Sequence, residues 1–157
     1  MEEYIFVKSC DKEYINEIYK ILLRCGFHML RQGMMHWIKP YSKNAIIHDC
    51  NTKKVVIVKD LETGMYTSTF QMYMNEENNL YVRKIATNPD NEGKGIGRKN
   101  MQYMEAYAKS HGCHKICLDV YKKSSRAINF YSKLGFKIVG ERQARFFSEF
   151  IMEKCII

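Results

Sequence analysis

The residues most able to do chemistry lie in one short stretch, Thr87-Asn88-Pro89-Asp90-Asn91-Glu92-Gly93-Lys94-Gly95-Ile96-Gly97-Arg98. A strand-like run leads in and a helix-like run leads out. Glycines at alternate positions let the backbone approach a ligand closely. The unpaired amides and the dipole at a helix N-terminus favour an anion there. Lys94 and Arg98 add positive charge, whereas Glu92 has the wrong sign for the job. The stretch lacks the Gly-Lys-Ser/Thr ending of a Walker A loop, and its glycine spacing is not that of a dinucleotide fingerprint. By itself it supports an anion site. His111-Gly112-Cys113-His114-Lys115-Ile116-Cys117 looks like a metal cluster but has no second half at zinc-ligand spacing. It reads as a helix end followed by a strand with packed cysteines, so no metal is expected.

The elements that must position this loop emerge from periodicity. Tyr4 to Ser9 predicts a strand. Asp11 is placed to N-cap a helix carrying Ile15, Ile18, Tyr19 and Leu22 at helical spacing. A second helical stretch spans about Phe27 to Gly33, and a short helix Ala45 to Cys50. Lys54–Lys59, Met65–Asn75 and Leu80–Thr87 alternate or are β-branched and predict three strands, with a turn at Glu62-Thr63-Gly64. A helix runs from Gly97 to Ser110, with Met101, Met104 and Ala108 on one face, and stops at His111-Gly112. Lys115–Val120 is a strand. Ser125–Leu134 is a helix ended by Gly135. Phe136–Arg142 and Phe146–Lys154 close the chain as strands. The order β-α-α-β-β-β-α-β-α-β-β predicts an α/β or α+β fold, a mixed and mostly antiparallel sheet flanked by helices.

The chain has 157 residues, 46% of them hydrophobic. This suits one domain, residues 1–157, able to bury roughly two-thirds of its unfolded surface without a staple. The charge of +8 is scattered, with no nucleic-acid-binding signature. A polyanionic ligand accounts for part of it more simply than DNA or RNA. No apolar run approaches the ~20 residues that span a bilayer, and the acidic start Met1-Glu2-Glu3-Tyr4 is not a signal peptide. Six cysteines without such a signal point to a cytoplasmic protein with reduced thiols.

The glycine stretch resembles motif A of the GNAT superfamily of N-acetyltransferases, Gln/Arg-x-x-Gly-x-Gly/Ala. A second segment lies downstream: Ala127-Ile128-Asn129-Phe130-Tyr131-Ser132-Lys133-Leu134-Gly135-Phe136 is similar to the family's Ala-x-x-x-Tyr-x-x-x-Gly-Phe. Together they identify a GNAT-like domain over nearly the whole chain, with the first fifty residues matching only in layout. The resemblance implies an acetyl-CoA-dependent N-acetyltransferase. Amides of Gly93, Lys94, Gly95, Ile96, Gly97 and Arg98 would hold the pyrophosphate. Main-chain groups of Ile85, Ala86 and Thr87 would pair with the pantetheine arm. Ser124 stands where the family usually has Asn, and Glu92 where it has Gln or Arg. A carboxylate there is expected to face solvent or pair with Arg98 or Lys94.

The resemblance also implies that Tyr131 protonates the leaving thiolate, a role that suits a phenol of pKa ~10 against a thiol of ~8.5. Without the match, Tyr131 would read as a helix residue packed on the core. No carboxylate lies between Leu80 and Thr87, so Asp119 is the first candidate for general base, with His36, His48, Glu141 and relayed water behind it. The cysteines have no evident activating partner, which favours direct attack in a ternary complex. Phe27, Met29, Met34, Met35, Trp37, Tyr41, Phe146 and Phe147 are candidates to line the acceptor pocket. A minimal domain favours a small-molecule amine acceptor. The alternatives are a protein N-terminal or lysine acetyltransferase, and a non-catalytic acyl-CoA sensor. Many members of the family are homodimers, and the last strands are the candidates for pairing.

Overall fold

The computed structural model describes residues 1–34 and 41–156. Among the described residues seven strands and four helices follow in this order: β1 (Glu2–Phe6), α1 (Lys12–Arg31), α2 (Lys43–Thr52), β2 (Lys54–Asp60), β3 (Tyr66–Met74), β4 (Leu80–Thr87), a 3₁₀ turn (Pro89–Asn91), α3 (Ile96–Ser110), β5 (Lys115–Tyr121), α4 (Ser125–Lys133), β6 (Lys137–Gln143) and β7 (Ser148–Cys155). The strands pair in the order β1-β2-β3-β4-β5-β7-β6. The β1/β2, β2/β3, β5/β7 and β6/β7 ladders are antiparallel, and β4/β5 is parallel. The expected mixed sheet is therefore present.

Two local expectations change. The two helical stretches before Gly33 form one twenty-residue helix, because Leu23 to Gly26 contain no breaker strong enough to end a well-buried helix. Asp11 does not cap that helix with its side chain. Its carboxylate turns back to accept the Lys8 amide at 2.9 Å.

The chain divides into two compact units, residues 1–72 with 84–100, and residues 73–83 with 101–157. In the first, Ile15, Ile18, Ile21, Leu22 and Cys25 of α1 and Ile46 of α2 pack on Val55 and Ile57 of β2 and Ala86 of β4. Val56 and Val58 are buried as well, so β2 is covered on both faces. That is why it reads as a continuous apolar run rather than an alternation. In the second unit, Met104, Ala108, Ile116, Leu118, Phe136 and Met152 are buried.

The end of α4 explains the Tyr-x-x-x-Gly-Phe spacing physically. Gly135 takes φ +97°. Its amide reaches the Ser132 carbonyl at 3.1 Å, and the Phe136 amide reaches the Tyr131 carbonyl at 3.0 Å. This is a Schellman motif, whose apolar contact joins the residues that Tyr131 and Phe136 occupy. Their ring centroids lie 5.7 Å apart. The same two bonds close α3 at Gly112 and Cys113. Gly135→Ala is expected to cost about 1–2 kcal/mol in the left-handed region, and the added Cβ would meet Lys154 Cε at 3.4 Å. Urea denaturation measures it, and a loss below a few tenths of a kcal/mol would refute the capping account.

Candidate active site

The predicted residues fall into two sets, one in each unit. The first set begins on β4. Its opening residues are in register with β5 over two pairs among the described residues, Leu80↔Ile116 and Tyr81↔Cys117. Three residues later Lys84 takes φ +51°, a conformation L residues avoid. A left-handed residue kinks a strand and re-aims the residues beyond it, here Ile85-Ala86-Thr87. Ala86 is anchored in the α1/α2 core. Ile85 and Thr87 are half-buried. The Thr87 carbonyl already accepts the Cys25 thiol at 2.9 Å, which engages one of its lone pairs.

The glycine loop comes after the 3₁₀ turn. Gly93 and Gly95 take φ +79° and +78° on either side of Lys94, and a Cβ on either would meet no atom within 4 Å. The glycines are thus required by backbone conformation and not by crowding, and the space beside them is open. Left-handed residues alternating with a residue of negative φ gather successive N–H groups into an anion-binding concavity. Gly93, Lys94 and Gly95 are exposed, whereas Ile96 is buried and plugs the loop to the core. One turn later Asn100, 1% exposed, donates to Ser68 Oγ at 2.8 Å and accepts from the Tyr4 hydroxyl at 3.2 Å. This pair fastens the start of α3 to β3 and β1. Asn100 was not among the sequence candidates. Its spacing of four from Ile96 was the available signal. The donor set, amides at a helix N-terminus flanked by Lys94 and Arg98, fits a diphosphate.

Glu92 is exposed, in line with the expectation that its carboxylate faces solvent. Its Oε2 lies 3.3 Å from His28 Nε2 on α1. Beside it, Arg24 spans the turn, reaching Asn88 Oδ1 at 2.9 Å and Asp90 Oδ1 at 2.8 Å. The Arg24 guanidinium holds the Asp90 carboxyl below its usual range.

A buried polar network, also missed, lies in the same unit. Asp49 of α2, 3% exposed, accepts the Tyr41 hydroxyl and Gln71 Nε2 (2.9 Å), with Lys53 Nζ 3.5 Å away. Gln71 Oε1 is buried without a hydrogen-bond partner among the described residues. The Lys84 ammonium stands 4.3 Å from the Tyr41 ring centroid. His48, the neighbouring candidate, is exposed. His36, Met35 and Trp37 lie outside the described residues.

In the second unit, Tyr131 packs edge-on against Phe130 and Phe136, and its side chain is half-buried. Desolvation of the hydroxyl pushes it up to about 12. Ser124 precedes α4, and its hydroxyl makes no capping bond. Asp119 is engaged by the Arg142 guanidinium, which also reaches Glu149 at 3.4 Å. Glu141 pairs with Lys122. Phe147 packs on Tyr121, while Phe146 is exposed. Burial pushes the thiols of Cys25 and Cys117 up to about 12 and that of Cys50 to about 11. They are protonated at neutral pH and are poor nucleophiles. Among the described residues no cluster of three metal-ligating side chains occurs, and no helix is long and apolar enough to cross a membrane.

A kinked strand, a glycine cradle at a helix N-terminus and a Schellman-capped tyrosine on a mixed seven-stranded sheet define an acyltransferase-type fold. The model of the Acetyltransferase (GNAT) family matches residues 15–136, and the chain belongs to that family. Over 65 residues it is 32% identical to glucosamine 6-phosphate N-acetyltransferase of Trypanosoma brucei brucei, covering 41% of this chain and 42% of that protein. Over 61 residues it is 33% identical to streptothricin acetyltransferase of Streptomyces lavendulae, covering 39% and 32%. These alignments span less than half of either relative. In fold it is similar to the ribosomal-protein-S18-alanine N-acetyltransferase of Escherichia coli, with TM-score 0.79, 18% identity and coverage of 99% and 94%. It is also similar to a paia N-acetyltransferase of Thermoplasma acidophilum in complex with coenzyme A, with TM-score 0.77, 18% identity and 99% coverage of both chains.

Proposed function

We propose that the chain transfers the acetyl group of acetyl-CoA to a primary amine, by direct attack in a ternary complex. The observation that carries this is the open, left-handed glycine cradle ahead of α3. Acetyl-CoA supplies an activated thioester. The amides of Gly93 to Arg98 hold its diphosphate, and the main chain of Ile85 to Thr87 orients its pantetheine arm. Tyr131, whose hydroxyl burial holds protonated at neutral pH, donates its proton to the departing thiolate. Ser124 offers a hydroxyl that the helix cap leaves uncommitted. Asp119 is engaged by Arg142, so we give it the task of holding that guanidinium and leave removal of the amine proton to ordered water. Protonated, buried thiols support the absence of a covalent enzyme intermediate and suit a reducing compartment, the cytoplasm in this reading.

The acceptor is a small-molecule amine in this proposal. Relatives and structural neighbours act on acceptors as different as an amino sugar phosphate, streptothricin and a ribosomal protein, by their names. Release of thiol from acetyl-CoA, monitored against a panel of sugar amines, polyamines, amino acids and peptides, tests it. Turnover with a small amine and none with peptides is the expected result. Cofactor binding with no turnover on any acceptor would favour the sensor reading instead. Turnover confined to peptides would move the acceptor to a protein.

A further inference from the structure

Glu92 stands immediately before the cradle and carries the charge least suited to a diphosphate site. Three side chains at helical spacing on α1, Arg24, Cys25 and His28, meet the segment from Thr87 to Glu92 in step. Cys25 donates to the Thr87 carbonyl, Arg24 to the side chains of Asn88 and Asp90, and His28 faces Glu92. Asn88 is buried and doubly fixed. Its amide donates to the Thr67 carbonyl at 2.7 Å, and its Oδ1 accepts the Asp90 amide at 3.2 Å. The segment is therefore registered against α1 before it reaches Glu92, and the carboxylate is delivered to His28.

His28 Nε2 also lies 3.3 Å from Gln32 Nε2. The same nitrogen thus stands between the Glu92 carboxylate and the Gln32 side chain.

We propose that His28 is a positioning residue for the acetyl-CoA site: it turns the Glu92 carboxylate toward α1 and out of the field of the phosphate cradle. The inference rests on the cofactor reading above. It explains how a chain with Glu at a position where the resemblance expects Gln or Arg keeps a working anion site. Arg24 sets the register that makes the contact.

A double-mutant cycle on coenzyme A affinity, by calorimetry at low ionic strength, tests it. His28→Ala is expected to weaken binding by about fivefold, the scale of one half-exposed polar contact. Glu92→Gln, which removes a charge already held away from the cradle, changes binding less than twofold. In the Glu92→Gln background His28→Ala then changes affinity less than twofold. A purely structural role for His28 would weaken binding equally in both backgrounds, and that result overturns the proposal. So does a Glu92→Gln variant that binds several-fold more tightly than the unsubstituted chain, since the carboxylate would then still act on the cradle. Thermal melts of all four proteins confirm that each is folded. Failure of the unsubstituted chain to bind coenzyme A at all would remove the cofactor reading itself, which is a different outcome from binding without coupling.

Discussion

Tyr131→Phe is expected to lower kcat by about 10²–10³-fold with little change in the KM for acetyl-CoA, because a positioned general acid contributes on that order. The substitution removes one oxygen and keeps the ring that packs on Phe130 and Phe136. The Schellman bonds of α4 use the Tyr131 carbonyl and not its side chain, so the fold should be untouched. The pH dependence sharpens the test. An acid must be protonated to act. Burial raises the Tyr131 hydroxyl to about 12, which extends the competent form upward. The rate should therefore rise with pH as the acceptor amine loses its proton, and show no alkaline fall below roughly pH 11. Unchanged kcat in Tyr131→Phe, or an alkaline limb near pH 9 that survives the substitution, would remove Tyr131 from the chemistry.

Asp49→Ala should cost about 3 kcal/mol of stability, read from urea or guanidinium denaturation. Asp49 accepts from Tyr41 and Gln71 and lies beside Lys53 while almost wholly buried. Removing one partner of a buried charged network leaves the others desolvated and unpaired, which costs on the order of 3–5 kcal/mol. The lower end applies because Lys53 and Tyr41 are only partly buried. Gln71 has no such outlet, and its Oε1 is already without a partner among the described residues. Asp49→Asn keeps an acceptor and should lose about half as much. A loss under ~1 kcal/mol for Asp49→Ala would mean that the network contributes little.

Features that depend on local spacing were legible. The glycine loop announces its φ values through residue type, and Tyr131, Gly135 and Phe136 form one capping motif within six residues. The order of strands and helices was readable from periodicity. Where local signals were weak the boundaries moved. Helix α1 absorbed two predicted pieces, and Asp11 turned its carboxylate the other way. Asp49 was invisible as a buried group because His48-Asp49-Cys50-Asn51 reads as polar helix surface. Only the approach of β3 brings Gln71 over it.

Sequence alone marked the alternating glycines ahead of α3 as the place to expect an anion, and it marked Glu92 as the misfit there. His28 and Arg24 lie more than sixty residues before the groups they face, Glu92 and Asp90. No periodicity links His28 to Glu92, Arg24 to Asp90 or Asp119 to Arg142, because contacts between distant elements depend on how helices and strands pack and not on spacing along the chain. Tertiary structure alone turned Glu92 toward α1 and placed Arg142 on Asp119.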